Sequence, residues 1–437
     1  MQKIDARQLD LTHDVEGFID RQQPGFTLEQ PFYTSPEFFQ LDKERVIFRQ
    51  WQFVDHVSRI PNRGDFFLFT IAGEEIIITR GDEDKIHAHF NVCRHRGSRL
   101  CLEKQGRKRR LTCPYHAWSF ELDGRLANAR QMPDGFDPND YSLHSCQVRV
   151  FEGLIFIYLG KEEEAPDFDY IADNYLPWIA PYKLADTKIA TVRHFPTPAN
   201  WKLVVENFLE CYHCRPSHPE YCSTMGHVTY DGDGTEEGME KYRVMYNRWL
   251  EKAKAQGRKV GYFEPPCPDQ SLRVSRQVIK DNAVSTTQDG GPACKKLLGD
   301  LTDYDGGDAF FAFGENLYLL VSDDYVALLR FTPLDTLESD VTITYLVHKD
   351  AEEGVDYEPD RVAWLWEVTT EQDAKIIIDN QKGVLSDRYR PGPYSKLEGN
   401  CETFIRHYLK MLSAAERPTS KLNINPDDYT GEAIFSI

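Results

Sequence analysis

The chain of 437 residues carries 70 acidic and 51 basic side chains, giving a formal net charge of -19 at pH 7. This acidic balance argues against binding to nucleic acid or to an anionic membrane surface. A chain of this length is expected to form about two or three domains. No apolar run approaches the roughly 18 residues that a membrane-spanning helix needs, and the first residues lack the apolar segment of a secretion signal. We therefore expect a soluble, cytoplasmic protein.

The cysteine content does not indicate a disulfide scaffold, because ten cysteines are spread over a long chain. Two of them belong to a metal-binding pattern described below. We predict that the other eight are reduced thiols: Cys101, Cys146, Cys211, Cys214, Cys222, Cys267, Cys294 and Cys401.

The first part of the chain predicts an arm followed by a β domain. Residues 1–45 are interpreted as an amphipathic N-terminal arm. Over residues 46–165, short apolar runs are broken by Gly, Asp and Asn, which is typical of an antiparallel β domain. A charged, proline-ended run at 161–166 marks the predicted end of this domain. The clearest strand candidates are residues 66–70, 75–79 and 154–158.

Four metal-ligand residues lie in this β region as two close pairs, Cys93 with His95 and Cys113 with His116. In a Rieske [2Fe–2S] centre, cysteines hold one iron and two histidines hold the other. Each pair here offers one cysteine and one histidine, so two hairpin tips can each give one ligand to each iron. Structural zinc with two cysteines and two histidines is the alternative, although that pattern usually groups like ligands together.

The segment between the two ligand pairs is basic in an otherwise acidic protein. The simplest interpretation is a solvated hairpin tip. The functional alternative is a docking patch for an acidic electron donor, because complementary charge steers such encounters. The basic residues are Lys104, Arg107, Lys108, Arg109 and Arg110.

Residues 166–437 change to a mixed pattern of helices and strands. The polar, glycine-rich region between residues 226 and 308 is interpreted as insertions and lids. Apolar periodicity predicts helices over 201–215 and 359–382, and strands over 310–313, 317–321, 325–331 and 341–348.

A second metal-binding pattern lies in the first of these helices. On a continuous helix, Glu206, Glu210 and His213 share one face, and Pro216 ends the helix so that His218 can fold back toward His213. Two imidazoles and one carboxylate with open positions suit non-haem Fe(II) that binds dioxygen. The simpler alternatives are a core histidine and solvent-exposed helical charges.

The pair Cys211 and Cys214 has the spacing of a redox motif. It encloses His213 and lacks a thioredoxin-like sequence context. We therefore rank a redox role for this pair below metal binding by the neighbouring histidines.

These motifs together resemble the alpha subunits of the Rieske non-haem iron oxygenases. The similarity is carried by residues 91–97, by residues 113–118 and by the spacing Glu210-x-x-His213-x4-His218. It implies an α+β fold with an antiparallel β Rieske domain at 46–165. It also implies a catalytic domain of the helix-grip, START-like type at 166–437.

The resemblance also implies the roles of the site residues. The four residues of the first pattern would bind the [2Fe–2S] cluster, and His213 and His218 would bind a mononuclear Fe(II). Glu210 would bridge His213 to a Rieske histidine of a neighbouring subunit in a homotrimer and carry the electron across. We expect Glu206 and Asn207 to support these ligands.

The third iron ligand is expected from the acidic region 366–383, which resembles the family's terminal ligand region. We predict Asp373, with Asp379 and Glu371 as alternatives. A structural interpretation also exists, because Thr370 followed by Asp373 has the spacing of a helix capping box.

The resemblance extends to substrate class. A glutamate at position 210, where most of the family has aspartate, and the segment 390–395 are similar to enzymes that oxidise quaternary ammonium compounds. The implied reaction uses O2 and NAD(P)H electrons from a separate flavin or ferredoxin-type reductase, since the chain has no Gly-x-Gly-x-x-Gly fingerprint. The small-molecule substrate would lose an N-methyl group as formaldehyde.

Two alternatives remain open from the sequence. One is a ring-hydroxylating oxygenase acting on an aromatic acid, and the other is an electron carrier or zinc-bound scaffold. Aromatic side chains on the predicted strands could form a cation–π cage for a quaternary ammonium group. The candidates are Phe311, Phe313, Tyr318 and Tyr325.

Overall fold

The computed structural model describes residues 11–227, 235–265, 267 and 271–413. These residues form two seven-stranded antiparallel sheets, one small sheet and ten named α-helices. The predicted α+β class is therefore confirmed. No helix in these ranges is long and apolar enough to cross a bilayer.

The first sheet has the strand order β1-β10-β9-β4-β3-β2-β5. Its strands pair antiparallel throughout, and the predicted strands at 66–70, 75–79 and 154–158 are confirmed. A small sheet, β6-β7-β8, stands beside it. The bounds are β1 Gln52–His56, β2 Asp65–Ile71, β3 Glu74–Arg80, β4 Ile86–Phe90, β5 Gln105–Arg107, β6 Leu111–Thr112, β7 Ser119–Phe120, β8 Leu126–Asn128, β9 Ser145–Phe151 and β10 Leu154–Tyr158.

The second sheet has the strand order β11-β17-β16-β15-β14-β13-β12. The four strands predicted between residues 310 and 348 are confirmed within a few residues of their observed ends. The bounds are β11 Thr187–Thr197, β12 Gly261–Phe263, β13 Leu272–Val278, β14 Gly307–Phe313, β15 Leu317–Val321, β16 Val326–Asp335 and β17 Glu338–His348.

Four helices contact strands of the second sheet, and the helices of the N-terminal arm contact other helices. The predicted helix over 359–382 is confirmed as α9. The bounds are α1 Leu11–Asp20, α2 Gln30–Thr34, α3 Pro36–Arg45, α4 Phe168–Ile179, α5 Trp201–Phe208, α6 Cys214–Ser217, α7 Pro219–Thr224, α8 Glu236–Ala255, α9 Pro359–Val384 and α10 Gly399–Ser413.

Where the structure describes it, the region between residues 226 and 308 contains more helix and strand than the sequence predicts. It contains the 20-residue helix α8 and the strands β12 and β13. Strand β13 alternates buried and half-buried residues, which is the pattern of a strand whose two faces differ in exposure. Tyr242, Met245 and Trp249 bury one face of α8. Because β12 and β13 belong to the second sheet, the interpretation as insertions and lids is wrong for these two strands.

The two faces of the second sheet pack against different helices. Successive side chains of a strand point to opposite faces. In β14, Phe310 and Ala312 pack in the core that also contains α5 and α9. Phe311 and Phe313 pack in the core that contains α4. The first of these faces, between the sheet and α9, holds the functional site.

The N-terminal arm joins the second sheet region through a buried ion pair. Lys202 of α5 and Asp42 of α3 are both fully buried and hydrogen-bonded to each other. The indole of Trp201 and the hydroxyl of Tyr408 also donate to the Asp42 carboxylate, at 2.9 and 2.6 Å. A buried charge needs such partners, so the arm, α5 and α10 form one packed unit.

Candidate metal centres

The two cluster loops have the same backbone design. In the first loop, Gly97 N donates to Cys93 O at 3.0 Å, and in the second Ala117 N donates to Cys113 O at 3.1 Å. Both donors have positive φ angles, +77° at Gly97 and +58° at Ala117. Residues in this left-handed backbone conformation allow the chain to make a tight turn. Each turn therefore presents one cysteine and one histidine on a short loop.

The four candidate cluster ligands differ in solvent exposure. Cys93 and Cys113 are buried, whereas His95 and His116 are exposed, with their ring centroids 4.6 Å apart. Burial and the neighbouring Cys113 thiol raise the pKa of Cys93 to about 11, although backbone N–H groups of the loop oppose this shift. Two adjacent buried sulfurs facing backbone donors and two adjacent imidazoles at the surface fit a [2Fe–2S] cluster whose histidine-bound iron faces outward.

The second centre brings three predicted ligands together. The Asp373 Oδ1 atom lies 3.2 Å from His213 Nε2 and 2.9 Å from His218 Nε2. One donor atom from each of the three residues lies within 4.8 Å of the other two. Two imidazoles and one carboxylate would bind one side of a metal ion and leave its other coordination positions open. This arrangement suits non-haem Fe(II).

Hydrogen bonds to the far side of each ring orient the two imidazoles. His213 Nδ1 hydrogen-bonds to the Glu210 carboxylate, and His218 Nδ1 donates to Gln372 Oε1 at 2.8 Å. Gln372 is held in turn by Glu220, because its Nε2 donates to Glu220 Oε2 at 2.8 Å. Partners of this kind fix the tautomer of a metal-ligating histidine. Both Nε2 atoms are thereby directed at Asp373.

The hydrogen bonding and the charges of this centre fit a bound cation. His218 Nε2 is buried and has no hydrogen-bond partner among the described residues, although it faces Asp373 Oδ1. Burial lowers the pKa of His213, but the carboxylates of Asp373 and Glu210 outweigh it and raise the pKa to about 9. Two carboxylates that favour a positive charge between them would stabilise a divalent metal ion at the same position.

The helix that carries these residues is shorter than predicted. Helix α5 ends at Phe208, so Glu206, Glu210 and His213 do not share one helical face, and Pro216 lies in α6. The Glu210 carboxylate accepts hydrogen bonds from the backbone N–H groups of Tyr212 and His213. Such side-chain bonds compete with helix continuation, which accounts for the turn.

Glu206 belongs to a different network. Its carboxylate accepts hydrogen bonds from Tyr33 at 2.8 Å and from Tyr394 at 2.9 Å. Burial raises the pKa of Glu206 to about 7, while the two tyrosine donors oppose that shift. The expected support of the metal ligands by Glu206 is therefore indirect. Asn207 does reach the site, with its Nδ2 atom 3.4 Å from His213 Nε2.

The alternatives for the third ligand lie elsewhere. Glu371 and Asp379 are exposed, and Asp379 forms an ion pair with Lys382 at 2.8 Å. Asp373 lies in the middle of α9, more than ten residues from its N-terminus. The capping-box interpretation of Thr370 and Asp373 is therefore wrong.

A small pocket lies beside the second centre. Asp373 and Asn207 lie in its wall, together with the rings of Phe208 and Phe331. Neither ring was predicted from the sequence to line the pocket. A signal was present, because Leu329 and Phe331 alternate on one face of β16.

The predicted aromatic wall requires correction. Phe311 and Phe313 are buried on the opposite face of the sheet, where Phe313 stacks on Tyr175 at 4.1 Å. Strand alternation puts them there. Tyr318 packs behind Phe208, with ring centroids 4.6 Å apart. Tyr325 lies on the correct face, but neither tyrosine lines this pocket.

Cys211 and Cys214 form a disulfide in the structure. The prediction that both are reduced thiols is therefore wrong. The turn after α5 brings their Cα atoms to 4.8 Å, a separation that a disulfide can span. The other six cysteines outside the metal-ligand pairs are not disulfide-bonded, as predicted.

Three comparisons with known proteins agree with this geometry. Residues 50–151 match the Rieske [2Fe-2S] domain, and residues 184–414 match the catalytic domain of ring hydroxylating alpha subunits. The glycine betaine monooxygenase oxygenase subunit of Chromohalobacter salexigens is 37% identical over 424 residues, 96% of this chain and 93% of that protein. The corresponding subunit of Pseudomonas aeruginosa is 36% identical, covering 85% of both chains.

The fold is also shared with a solved structure. A quaternary ammonium Rieske monooxygenase superposes with a TM-score of 0.68 at 23% identity, covering 91% of this chain and 98% of that one. The cofactors of these domains are a Rieske [2Fe–2S] cluster and a mononuclear iron, so neither a zinc scaffold nor a simple carrier accounts for the chain. The chain belongs to the Rieske non-haem iron oxygenases, as an alpha subunit carrying both the cluster domain and the catalytic domain.

Proposed function

We propose that this protein is the oxygenase component of a monooxygenase that removes an N-methyl group from a quaternary ammonium compound similar to glycine betaine. The observation that carries the proposal is the 37% identity to a glycine betaine monooxygenase subunit across 96% of the chain. The convergence of His213, His218 and Asp373 beside a pocket with aromatic walls supports it.

The cluster is assigned to the loop after β4 of the first sheet and to the loop between β6 and β7 of the small sheet. Cys93 and Cys113 would hold one iron, and His95 and His116 the other. His213, His218 and Asp373 would hold the mononuclear iron. When bound, the cluster supplies electrons and the mononuclear iron supplies the activation of dioxygen. The residue bounds 46–165 and 166–437 remain our proposed domains for the two centres.

The residues around the second centre orient the metal ligands and shape the pocket beside them. The Glu210 carboxylate accepts a hydrogen bond from His213 Nδ1–H, which leaves Nε2 free to bind the metal. Gln372 does the same for His218. The apolar rings of Phe208 and Phe331 limit the water next to the reacting methyl group.

The overall reaction balances with two external electrons. A trimethylammonium substrate, O2, two electrons and two protons give a dimethylammonium product, formaldehyde and water. One oxygen atom enters an N-methyl C–H bond, and the N-hydroxymethyl product loses formaldehyde as its C–N bond breaks. The electrons come from a separate flavin or ferredoxin-type reductase that uses NAD(P)H.

The assembly proposed for the working enzyme is a homotrimer in the cytoplasm. The exposed cluster histidines of one subunit would face Glu210 of the next, so that Glu210 carries electrons between subunits. The exposed positions of His95, His116 and Tyr212 are consistent with such a contact. Size measurement of the holoenzyme in solution tests the trimer.

A substrate panel tests the function. The holoenzyme is supplied with a surrogate reductase and offered glycine betaine, carnitine, choline and aromatic acids. We expect formaldehyde from at least one trimethylammonium compound and no cis-diol from the aromatic acids. A cis-diol without formaldehyde would instead support the ring-hydroxylating alternative.

A further inference from the structure

The disulfide between Cys211 and Cys214 encloses one of the predicted iron ligands. His213 lies between the two bonded residues, and Glu210, which hydrogen-bonds to His213 Nδ1, directly precedes the first of them. The remaining eight cysteines carry no disulfide. The disulfide of this chain therefore lies at the mononuclear iron site.

The disulfide closes the turn that carries His213. The backbone N–H of Cys214 donates to Cys211 O at 3.2 Å, so the covalent bond joins the same two residues as this hydrogen bond. Cys214 O in turn accepts a hydrogen bond from the backbone N–H of His218 at 2.8 Å. Cys214 is thus joined to both iron histidines, to His213 by a peptide bond and to His218 by a hydrogen bond.

The two bonded cysteines differ in their access to solvent. Cys211 is half-buried, whereas Cys214 is buried and packs with Met225 and Ile279. Tyr212, between Cys211 and the iron ligand, is 60% exposed, so the turn lies at the protein surface. A dithiol in solution therefore reaches Cys211 more readily than Cys214.

We propose that Cys211 and Cys214 form a redox-active pair, and that reduction of their disulfide weakens the hold of the turn on the mononuclear iron. A thiolate of a reducing dithiol attacks the Cys211 sulfur and forms a mixed disulfide, while Cys214 leaves as a thiolate and takes up a proton. The second thiol of the dithiol then displaces Cys211, which also takes up a proton. The pair gains two electrons and two protons, and the dithiol becomes a disulfide.

Reduction leaves the hydrogen bonds of the turn in place but opens its covalent ring. The Glu210 carboxylate still accepts hydrogen bonds from the backbone N–H groups of Tyr212 and His213. The backbone on both sides of His213 is no longer restrained by the bond from Cys211 to Cys214. Loss of a group that orients a metal-ligating histidine typically lowers metal affinity 10- to 100-fold. The enzyme would therefore retain its iron best under oxidising conditions, in which its co-substrate O2 is present.

The competing explanation is a purely structural disulfide. The stabilisation that a disulfide gives increases with the length of the loop that it closes, and this one joins residues only three apart. It is therefore poorly suited to stabilise the fold. In the cytoplasm that we propose for this protein, disulfides are usually transient and catalytic or redox-sensing. The inference concerns iron retention, so it stands or falls independently of the substrate proposed above.

Thiol counting tests whether the pair changes between two states. Holoenzyme purified without reductant is alkylated in denaturant, and a second sample is first incubated with dithiothreitol in its folded state and freed of it anaerobically. Mass spectrometry should find eight alkylated cysteines in the first sample and all ten in the second. Ten alkylated cysteines in both samples, or eight in both, would overturn the inference.

Iron retention tests what the pair does. The oxidised and the reduced holoenzymes, both free of dithiothreitol and anaerobic, are mixed with an Fe(II) chelator, and the release of mononuclear iron is followed. We expect release from the reduced protein to be about tenfold faster or more, with the same cluster absorbance in both. Equal release rates from the two forms would overturn the inference.

Two variants identify the cysteines responsible. C211S/C214S should release iron at the faster rate whether or not it is treated with dithiothreitol. C222S is the matched control, because Cys222 has no disulfide, packs in the same apolar group and donates from Sγ to Cys214 O at 3.4 Å. It should respond to dithiothreitol as the wild type does, and loss of the response would assign the effect to Cys222 instead. The wild-type comparison decides the inference even if C211S/C214S does not fold.

Discussion

The hydroxyl of Tyr394 donates a hydrogen bond to the carboxylate of Glu206 at 2.9 Å, although 188 residues separate them in the chain. Tyr33 of the N-terminal arm donates to the other oxygen of the same carboxylate. Glu206 lies on α5, just before the turn that holds His213. The N-terminal arm and the segment before α10 are thereby tied to the element that leads into the metal centre.

Removing one of these donors should destabilise the protein. Tyr394→Phe leaves the buried Glu206 carboxylate with one tyrosine donor, which is expected to cost about 1–3 kcal/mol of unfolding free energy. Chemical denaturation measures this change. In a double-mutant cycle with Glu206→Leu, which has no acceptor, the two effects should not add, because both variants remove the same contact. Additive effects would contradict the coupling.

The assignment of the mononuclear iron ligands can be tested by metal content. His213→Ala, His218→Ala and Asp373→Ala are each expected to lose most of this iron and all turnover, while the cluster absorbance is retained. Asp379→Asn and Glu371→Gln are matched controls from the same helix, because their side chains face solvent. Iron analysis of each purified variant provides the measurement. Full iron occupancy in Asp373→Ala would exclude Asp373 as a ligand.

Glu210 is predicted to act in electron delivery rather than in metal binding. Glu210→Gln keeps an oxygen acceptor for His213 Nδ1 but removes the negative charge. We expect iron content and cluster reduction to be retained, while reoxidation of the cluster in a single turnover slows by about 10- to 100-fold or more. Stopped-flow absorbance follows this step. Loss of iron with an unchanged electron-transfer rate would show that Glu210 acts in metal binding rather than in electron delivery.

Two buried histidines should make the N-terminal sheet sensitive to acid. Burial lowers the pKa of His56 and of His89 to about 4, and each ring bonds to a backbone carbonyl. Below the ordinary pKa of about 6.5, the unfolded chain takes up protons that the folded chain does not. Stability is therefore complete above that pH and falls toward pH 4, by up to about 3 kcal/mol per histidine.

Thermal unfolding between about pH 7.5 and pH 5 tests this linkage. His89→Gln should unfold at a lower temperature at neutral pH and show a shallower dependence on pH than the wild type. Parallel curves for the two proteins would show that His89 does not contribute to the acid sensitivity.

The basic segment between the cluster loops remains a predicted docking patch for the reductase. Arg107, Lys108 and Arg110 form ion pairs with Asp65, Glu103 and Glu121. Lys104 and Arg109 are exposed beside them. The double charge reversal of Lys104 and Arg109 to Glu should slow cluster reduction at low ionic strength and have less effect in high salt. If the variant and the wild type are reduced at equal rates at all salt concentrations, the segment is only a solvated hairpin tip.

The sequence predicted the parts of the site that depend on local spacing. The metal ligands of each pair lie close together in the sequence: Cys93 with His95, Cys113 with His116, and His213 with His218. The residue types and their spacing restrict which metal each pair can bind. The end of α5 at Phe208 was not predicted, because apolar periodicity does not register the competition from the Glu210 side chain for backbone donors. The long helix α8 was missed because its exposed face is strongly polar.

Contacts between distant segments could not be derived from the pattern. Nothing in the sequence near Glu206 indicates Tyr33 or Tyr394 as partners. Phe311 and Phe313 were assigned to the wrong face of β14, because a strand in which both faces are buried has no polar alternation to set its orientation.

The ratio of formaldehyde released to dioxygen consumed tests the central claim most directly. The holoenzyme, reduced through a surrogate reductase, is given a limiting amount of the trimethylammonium substrate identified by the panel. We predict one formaldehyde and one dimethylammonium product for each O2 consumed in the substrate-dependent reaction. Substrate-dependent O2 uptake that yields a hydroxylated product with all its N-methyl groups intact would contradict the account.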